Sequence, residues 1–209
     1  MLWSAEQGID LLDDLSRVVR ATAESNQIAA NFTIDASYPG FDQALDDAFY
    51  RNAYKNGRPT SGYGTQFYHL MSMSQVDGGY DATVCWQSSH FGRKTVDGKY
   101  RVDLYGGATT STIALRRPSI DTGNTPAPTS PAALLSTGGV TTPKSNTPKW
   151  VGPTDNVFGD WKVSLPPVVN SPMYPACTAW GDTVAAPPVL NNYVEVDVPP
   201  PTLPQYPTW

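Results

Sequence analysis

The sequence predicts an α+β protein: N-terminal helices packed on a curved antiparallel sheet, then a long, mostly irregular proline-rich extension wrapped over that sheet. Three observations predict it. Residues 63–117 alternate apolar and polar side chains with period two, in four runs. Residues 4–53 repeat apolar side chains at helical spacing instead. From Pro118 onward the chain carries 18 of its 20 prolines but only 6 of its 19 acidic residues, so neither pattern can simply continue.

Ser4-Ala5-Glu6-Gln7 reads as a capping box, with the Ser side chain taking the third amide and Gln7 reaching back. Ile9, Leu12, Leu15 and Val19 then share a stripe, with Asp10, Asp13, Asp14 and Arg17 mostly off it, and predict a helix over 4–24. Ser25-Asn26 interrupts it, and 27–32 add a further turn. Asn31-Phe32-Thr33 fits a glycosylation sequon, a triplet that also arises by chance. Pro39-Gly40 is a break. Phe41, Leu45, Phe49 and Ala53 face one side of a second helix, which Asn56-Gly57 stops.

The first strand, 63–76, sets Tyr63, Thr65, Phe67, His69, Met71 and Met73 on one face and Gln66, Tyr68 and Leu70 on the other. Asp77-Gly78-Gly79 supplies the positive-φ positions of a hairpin. The return strand, 80–89, sets Tyr80, Ala82, Val84 and Trp86 against Asp81, Thr83, Cys85 and Gln87. A charged loop with an Asp97-Gly98 turn follows. Tyr100, Val102 and Leu104 make a third strand and 112–117 a fourth, ended by Pro118. Short loops join these strands into a meander. Both faces carry large apolar groups, so both need cover.

Residues 1–118 thus read as a helix-plus-meander core, and 119–209 as a Pro/Thr/Ser-rich extension packed on it. Residues 120–146 read as a linker or long excursion. Strand-like alternation resumes at Trp161, Val163 and Leu165, and again over 193–198. The end, 199–207, is restricted to extended or polyproline II backbone. The extension is too apolar for a free linker, since Trp150, Trp161, Trp180 and Trp209 need partners.

A net charge of −5 without clustered Lys and Arg excludes a nucleic-acid binder. No run approaches the ~20 apolar residues of a membrane helix, so no span is expected. No signal peptide precedes the first helical pattern. Cys85 and Cys177 are either two free thiols or one disulfide. The low Lys content and the Thr-, Ser- and Pro-rich tail favour export, to an extracellular or cell-envelope location, and hence the bridge.

Helices followed by a curved meander is the order of the NTF2-like superfamily, the cystatin-like α+β cone. Residues 11–117 resemble its exported actinobacterial proteins and lipoproteins. The resemblance rests on Ala82-Thr83-Val84-Cys85, where a Cys sits late in a strand, and on the Asp97-Gly98-Lys99-Tyr100-Arg101-Val102 hairpin. It implies a cone with a ligand pocket, and for enzymes of the superfamily a His and an Asp acting as acid and base inside it. Many members have no assigned activity, so the resemblance implies a fold more than a function.

His69, sharing a strand face with Phe67 and Met71, is the candidate acid–base group, with Asp81 or Asp103 as partner. The plainer reading is a hydrogen-bonded structural His and carboxylates on a wet face. His90 reads as a solvated loop residue. No spacing of His and Cys matches a metal site. No Gly-x-Ser-x-Gly elbow or phosphate loop exists, and no cofactor is expected. Aromatic residues are dense: Phe67, Tyr68, Trp86, Tyr100 and Tyr105 suit an apolar or glycan ligand on a concave sheet, or form core. Three functions follow: a non-enzymatic exported binding or interaction module; a small lyase or isomerase using His69; or a structural subunit whose proline-rich tail holds a neighbouring protein or envelope partner.

Overall fold

The computed structural model describes residues 1–55, 62–104, 107–118, 151–166, 173–186 and 193–209. Their elements, in order, are β1 (Leu2–Ala5), α1 (Asp14–Asn31), a 3-10 turn (Ile34–Ala36), α2 (Phe41–Ala44) and α3 (Ala48–Lys55). There follow β2 (Gly62–Val76), β3 (Gly79–Lys94), β4 (Tyr100–Asp103), β5 (Thr109–Arg116), β6 (Lys162–Ser164), α4 (Tyr174–Val184) and β7 (Tyr193–Val196). The fold is mixed α+β, built on a curved, unclosed, mainly antiparallel sheet. The expected helix stop at Asn56-Gly57, the excursion over 120–146 and Trp150 lie outside the described residues.

The N-terminus departs from its sequence pattern. Ser4 caps no helix; residues 2–5 pair parallel with β2, from Leu2 against Phe67 to Ala5 against Leu70. The true cap is Asp13, whose carboxylate accepts from Ser16 N at 2.7 Å. Gly8, at φ +92°, and an Asp10 turn that takes the Leu12 amide separate the two elements. With its start moved ten residues on, α1 runs through Ser25-Asn26 to Asn31. The second helix is also split. Leu45 is extended (ψ 108°), and Asp46 N donates to Val163 O at 2.7 Å, so a strand-like bridge replaces one helical turn.

The sheet is a fork rather than a simple meander. β2 and β3 pair over their whole length, Gly62 against Arg93 and Val76 against Gly79. The second edge of β3 is shared: β5 pairs with Gly79–Trp86, and β4 with residues 92–94. β6 extends the β5 arm and β7 the β4 arm. Two register shifts, between Thr65 and Phe67 and between Leu70 and Ser72, bend the ladder. The second shift moves Met73 from the expected His69/Met71 face to the opposite one, where it packs on the main core.

Helix α1 covers one face of the sheet. Val18, Val19 and Ile28 meet Tyr68, Leu70, Val84, Ile113 and Leu115 there, joined by Phe158, Val163 and Leu165 from beyond the proline-rich stretch. The other face is covered by α4, an element the density of prolines hid. Pro175 falls at the start of this helix, where a missing N–H is harmless. The Cys85–Cys177 disulfide anchors α4, with Met71, Ala108 and Trp180 packed around it. Gly181 lies on Gly107 so closely that a Cβ would fall 2.1 Å from its carbonyl carbon. The end of α4 also fills the gap in the fork: Ala186 N donates to Ser89 Oγ (2.8 Å), and His90 Nε2 meets Val184 O (2.9 Å). His90 is therefore a strand residue that holds α4, not a solvated loop residue.

Candidate ligand site between the first helix and the sheet

The space between α1 and the sheet face that it covers is not completely filled. Asn26 and Gln27 of α1 face Tyr68, Val84, Trp86 and Ser111 of the sheet across a cavity of about 60 Å³. The ladder explains why these side chains meet: Tyr68 is opposite Trp86, and Val84 is opposite Ser111. Tyr54 on α3 donates its hydroxyl to Asn26 Oδ1, which fixes that amide at the rim.

Tyr68 is the unusual member. Its ring stacks on Trp3 at 4.8 Å. Its hydroxyl is buried without a hydrogen-bond partner among the described residues. Burial, and next the nearby Glu24 carboxylate, push its pKa well above the ordinary tyrosine value. An unsatisfied buried hydroxyl costs about 1–3 kcal/mol, which an acceptor placed in the cavity would offset.

Beside this cavity lies a polar cluster that the sequence pattern does not reveal. Glu24, fully buried, accepts from Trp3 Nε1 (2.7 Å), Tyr38 Oη and Trp209 Nε1 (3.2 Å). Arg20, also fully buried, donates to Leu11 O and Pro207 O, both at 3.0 Å, and lies 4.3 Å over the Trp209 ring. Burial lowers the Arg20 pKa, and Glu24 opposes that shift. An Arg and a Glu four apart on a helix read as a solvated pair in sequence. The only clue was that Trp3 and Trp209 each need an acceptor for an indole N–H.

The other expected site residues are dispersed. Phe67 points to the α4 face and packs edge-on against His90. Tyr100 meets Tyr63 at the β4 arm. Tyr105 lies outside the described residues. Asp81 pairs with Arg116 at 2.7 Å and Asp103 with Arg101 at 3.3 Å, both partly exposed. His69 is opposite Cys85, four residues along β3 from Asp81, or roughly 13 Å at strand rise. It is buried beneath Trp180 and contacts Ser4 and Glu6. No cluster of three His, Cys, Asp or Glu able to hold a metal exists among the described residues. No helix among them is long and apolar enough to cross a membrane.

A wider groove of about 1100 Å³ runs between the start of α1, α2 and residues 155–162. Its Asp14, Asp155 and Asp160 offset Arg17, Arg117 and Lys162, so no charge class is selected. Arg117 already covers a face of its Trp161 at 4.6 Å. No protein-family model, curated protein or solved structure matches this chain.

Proposed function

We propose that this chain is an exported binding module with an NTF2-like cone, and that its ligand sits between α1 and the concave sheet. The observation that carries the reading is the cavity where Tyr68 and Trp86 meet, beside a buried hydroxyl with no hydrogen-bond partner among the described residues. Its size sets the ligand class. Pockets for drug-sized ligands run to about 300–1,000 Å³, and one water takes up about 30 Å³. The ligand is therefore small and neutral, with an acceptor atom for Tyr68 and an apolar side for Val84 and Trp86. The Cys85–Cys177 bridge supports an extracellular or envelope location.

The test is a titration with acetone, an acceptor flanked by two methyl groups, followed by NMR of the Asn26, Gln27 and Trp86 side-chain N–H signals. Saturable shifts confined to those groups, and lost in Ser111→Leu, are expected. Linear shifts spread over the surface, or shifts unchanged in Ser111→Leu, would sink the proposal.

A further inference from the structure

On the opposite face of the sheet, Ser4, His69 and Glu6 form a linear array. Ser4 Oγ lies 2.8 Å from His69 Nδ1, and His69 Nε2 lies 3.3 Å from Glu6 Oε1. Ser4 Oγ is also 3.4 Å from Tyr68 O, at the limit of a hydrogen bond, so its short contact is the one to Nδ1. With the hydroxyl donating to Nδ1, the imidazole carries its proton on Nε2, facing the carboxylate. Trp180 stacks on the ring at 5.2 Å and 24°, which holds its plane. The ring is buried, whereas Ser4 is exposed to solvent.

A hydroxyl within reach of a base, with that base oriented by a third group, is the arrangement that activates a nucleophile. We propose that Ser4 is an activated nucleophile toward neutral esters, with His69 as its general base and Glu6 as a positioning residue. The roles follow from β1 pairing parallel with β2, which sets Ser4 opposite His69. Glu6 returns to the same side one residue beyond the strand end. A neutral substrate is specified because the chain carries a net −5 charge and Glu6 is half-exposed beside the serine. The half-buried Trp180 gives an apolar acyl group a surface to rest on.

The step balances without a cofactor. Ser4 Oγ bonds to the ester carbonyl carbon as its proton passes to His69 Nδ1. The bond from that carbon to the leaving oxygen breaks, and the released alcohol takes up the proton from His69. The acyl group stays on Ser4 as an ester. Water, losing a proton to the same nitrogen, attacks that ester, and hydrolysis returns Ser4 and releases the acid. General-base assistance alone contributes roughly 10²–10⁴-fold, so a slow, serine-specific reaction is expected.

The test uses the full chain with its disulfide intact and p-nitrophenyl acetate as probe, read by release of p-nitrophenolate and by peptide mass spectrometry. The expected result is one acetyl group on Ser4, no acetylation of that peptide in Ser4→Ala, and acetylation slowed at least ~10²-fold in His69→Gln. Glu6→Gln slows it less, and Glu6→Asp restores part of the rate at unchanged melting temperature. Because Ser4 is exposed, Ser4→Ala folds even if His69→Gln does not. Acetyl groups spread over lysines and other serines, or p-nitrophenolate release equal in Ser4→Ala and the parent, would overturn the proposal.

Discussion

Replacing both Cys85 and Cys177 with alanine tests how far the far-face helix depends on its bridge. The bond closes 92 residues. On the chain-entropy account, opening a loop of that length costs about 4.6 kcal/mol at 25 °C. The unfolding entropy of a 209-residue chain is near 0.44 kcal/mol/K, from about 2.1 cal/mol/K per residue. The double variant should therefore melt about 10 °C below the oxidised parent in scanning calorimetry. Amide exchange should rise first at the α4 contacts, among them Ala186, whose N–H bonds to Ser89. A shift under about 3 °C, in a parent whose bridge is proven by alkylation and mass, would refute the reasoning. Helix α4 would then be held by the Trp180–His69 stack and the Ser89 and His90 hydrogen bonds, not by the covalent link.

Four further outcomes follow. Tyr68→Phe removes an unsatisfied hydroxyl, so it should be neutral or stabilising by up to about 1–3 kcal/mol in urea unfolding; clear destabilisation would mean that the hydroxyl has a partner. Glu24→Ala orphans the Trp3, Tyr38 and Trp209 donors beside the buried Arg20 and should cost about 3–5 kcal/mol by the same assay. Gly181→Ala drives a Cβ into the Gly107 backbone and should cost about 1–3 kcal/mol while the disulfide still forms, as thiol counting would report. Burial, more than any other influence, raises the folded-state pKa of Tyr54 and Tyr68 above 10. Their contribution is thus complete below pH 10 and declines above it, because the unfolded chain ionises first; absorbance titration should show these two resisting ionisation until the protein unfolds.

The strands were legible because alternation survives burial on either face. Each of β2 to β5 has a counterpart in the period-two pattern, and Trp161, Val163 and Leu165 pointed to β6. The errors have local causes. Ser4 suits a helix cap and a strand face equally well, since a cap needs a small side-chain oxygen acceptor with Gln7 answering it, and a strand merely aligns Ser4 with Glu6 as alternate residues. Only Gly8 and the Asp13 cap decide between them. Helix α4 was missed because its Pro175 resembles the breakers around it. Of the ligand cavity, Tyr68 and Trp86 could be named from aromatic density, but Asn26 and Gln27 could not. They lie where the sequence suggests that α1 has ended. The Ser4–His69–Glu6 array was illegible for the same reason that β1 was: the expected partners of His69, Asp81 and Asp103, were carboxylates on the strands, whereas Ser4 and Glu6 read as part of a helix start.

The packing of Phe158, Val163, Leu165 and Trp209 against α1 has a consequence for the timing of folding during synthesis. Burying each large apolar side chain contributes about 1.5–3 kcal/mol, and whole domains are stable by only about 5–15 kcal/mol. A nascent chain that has emerged only as far as Pro118 lacks all four residues, the anchor of α4 and the acceptor for Arg20 at Pro207. Domains generally fold as units as they leave the ribosome. Here the N-terminal half lacks those contacts until residues synthesised long after it arrive, so the unit closes only once its C-terminal residues have been made.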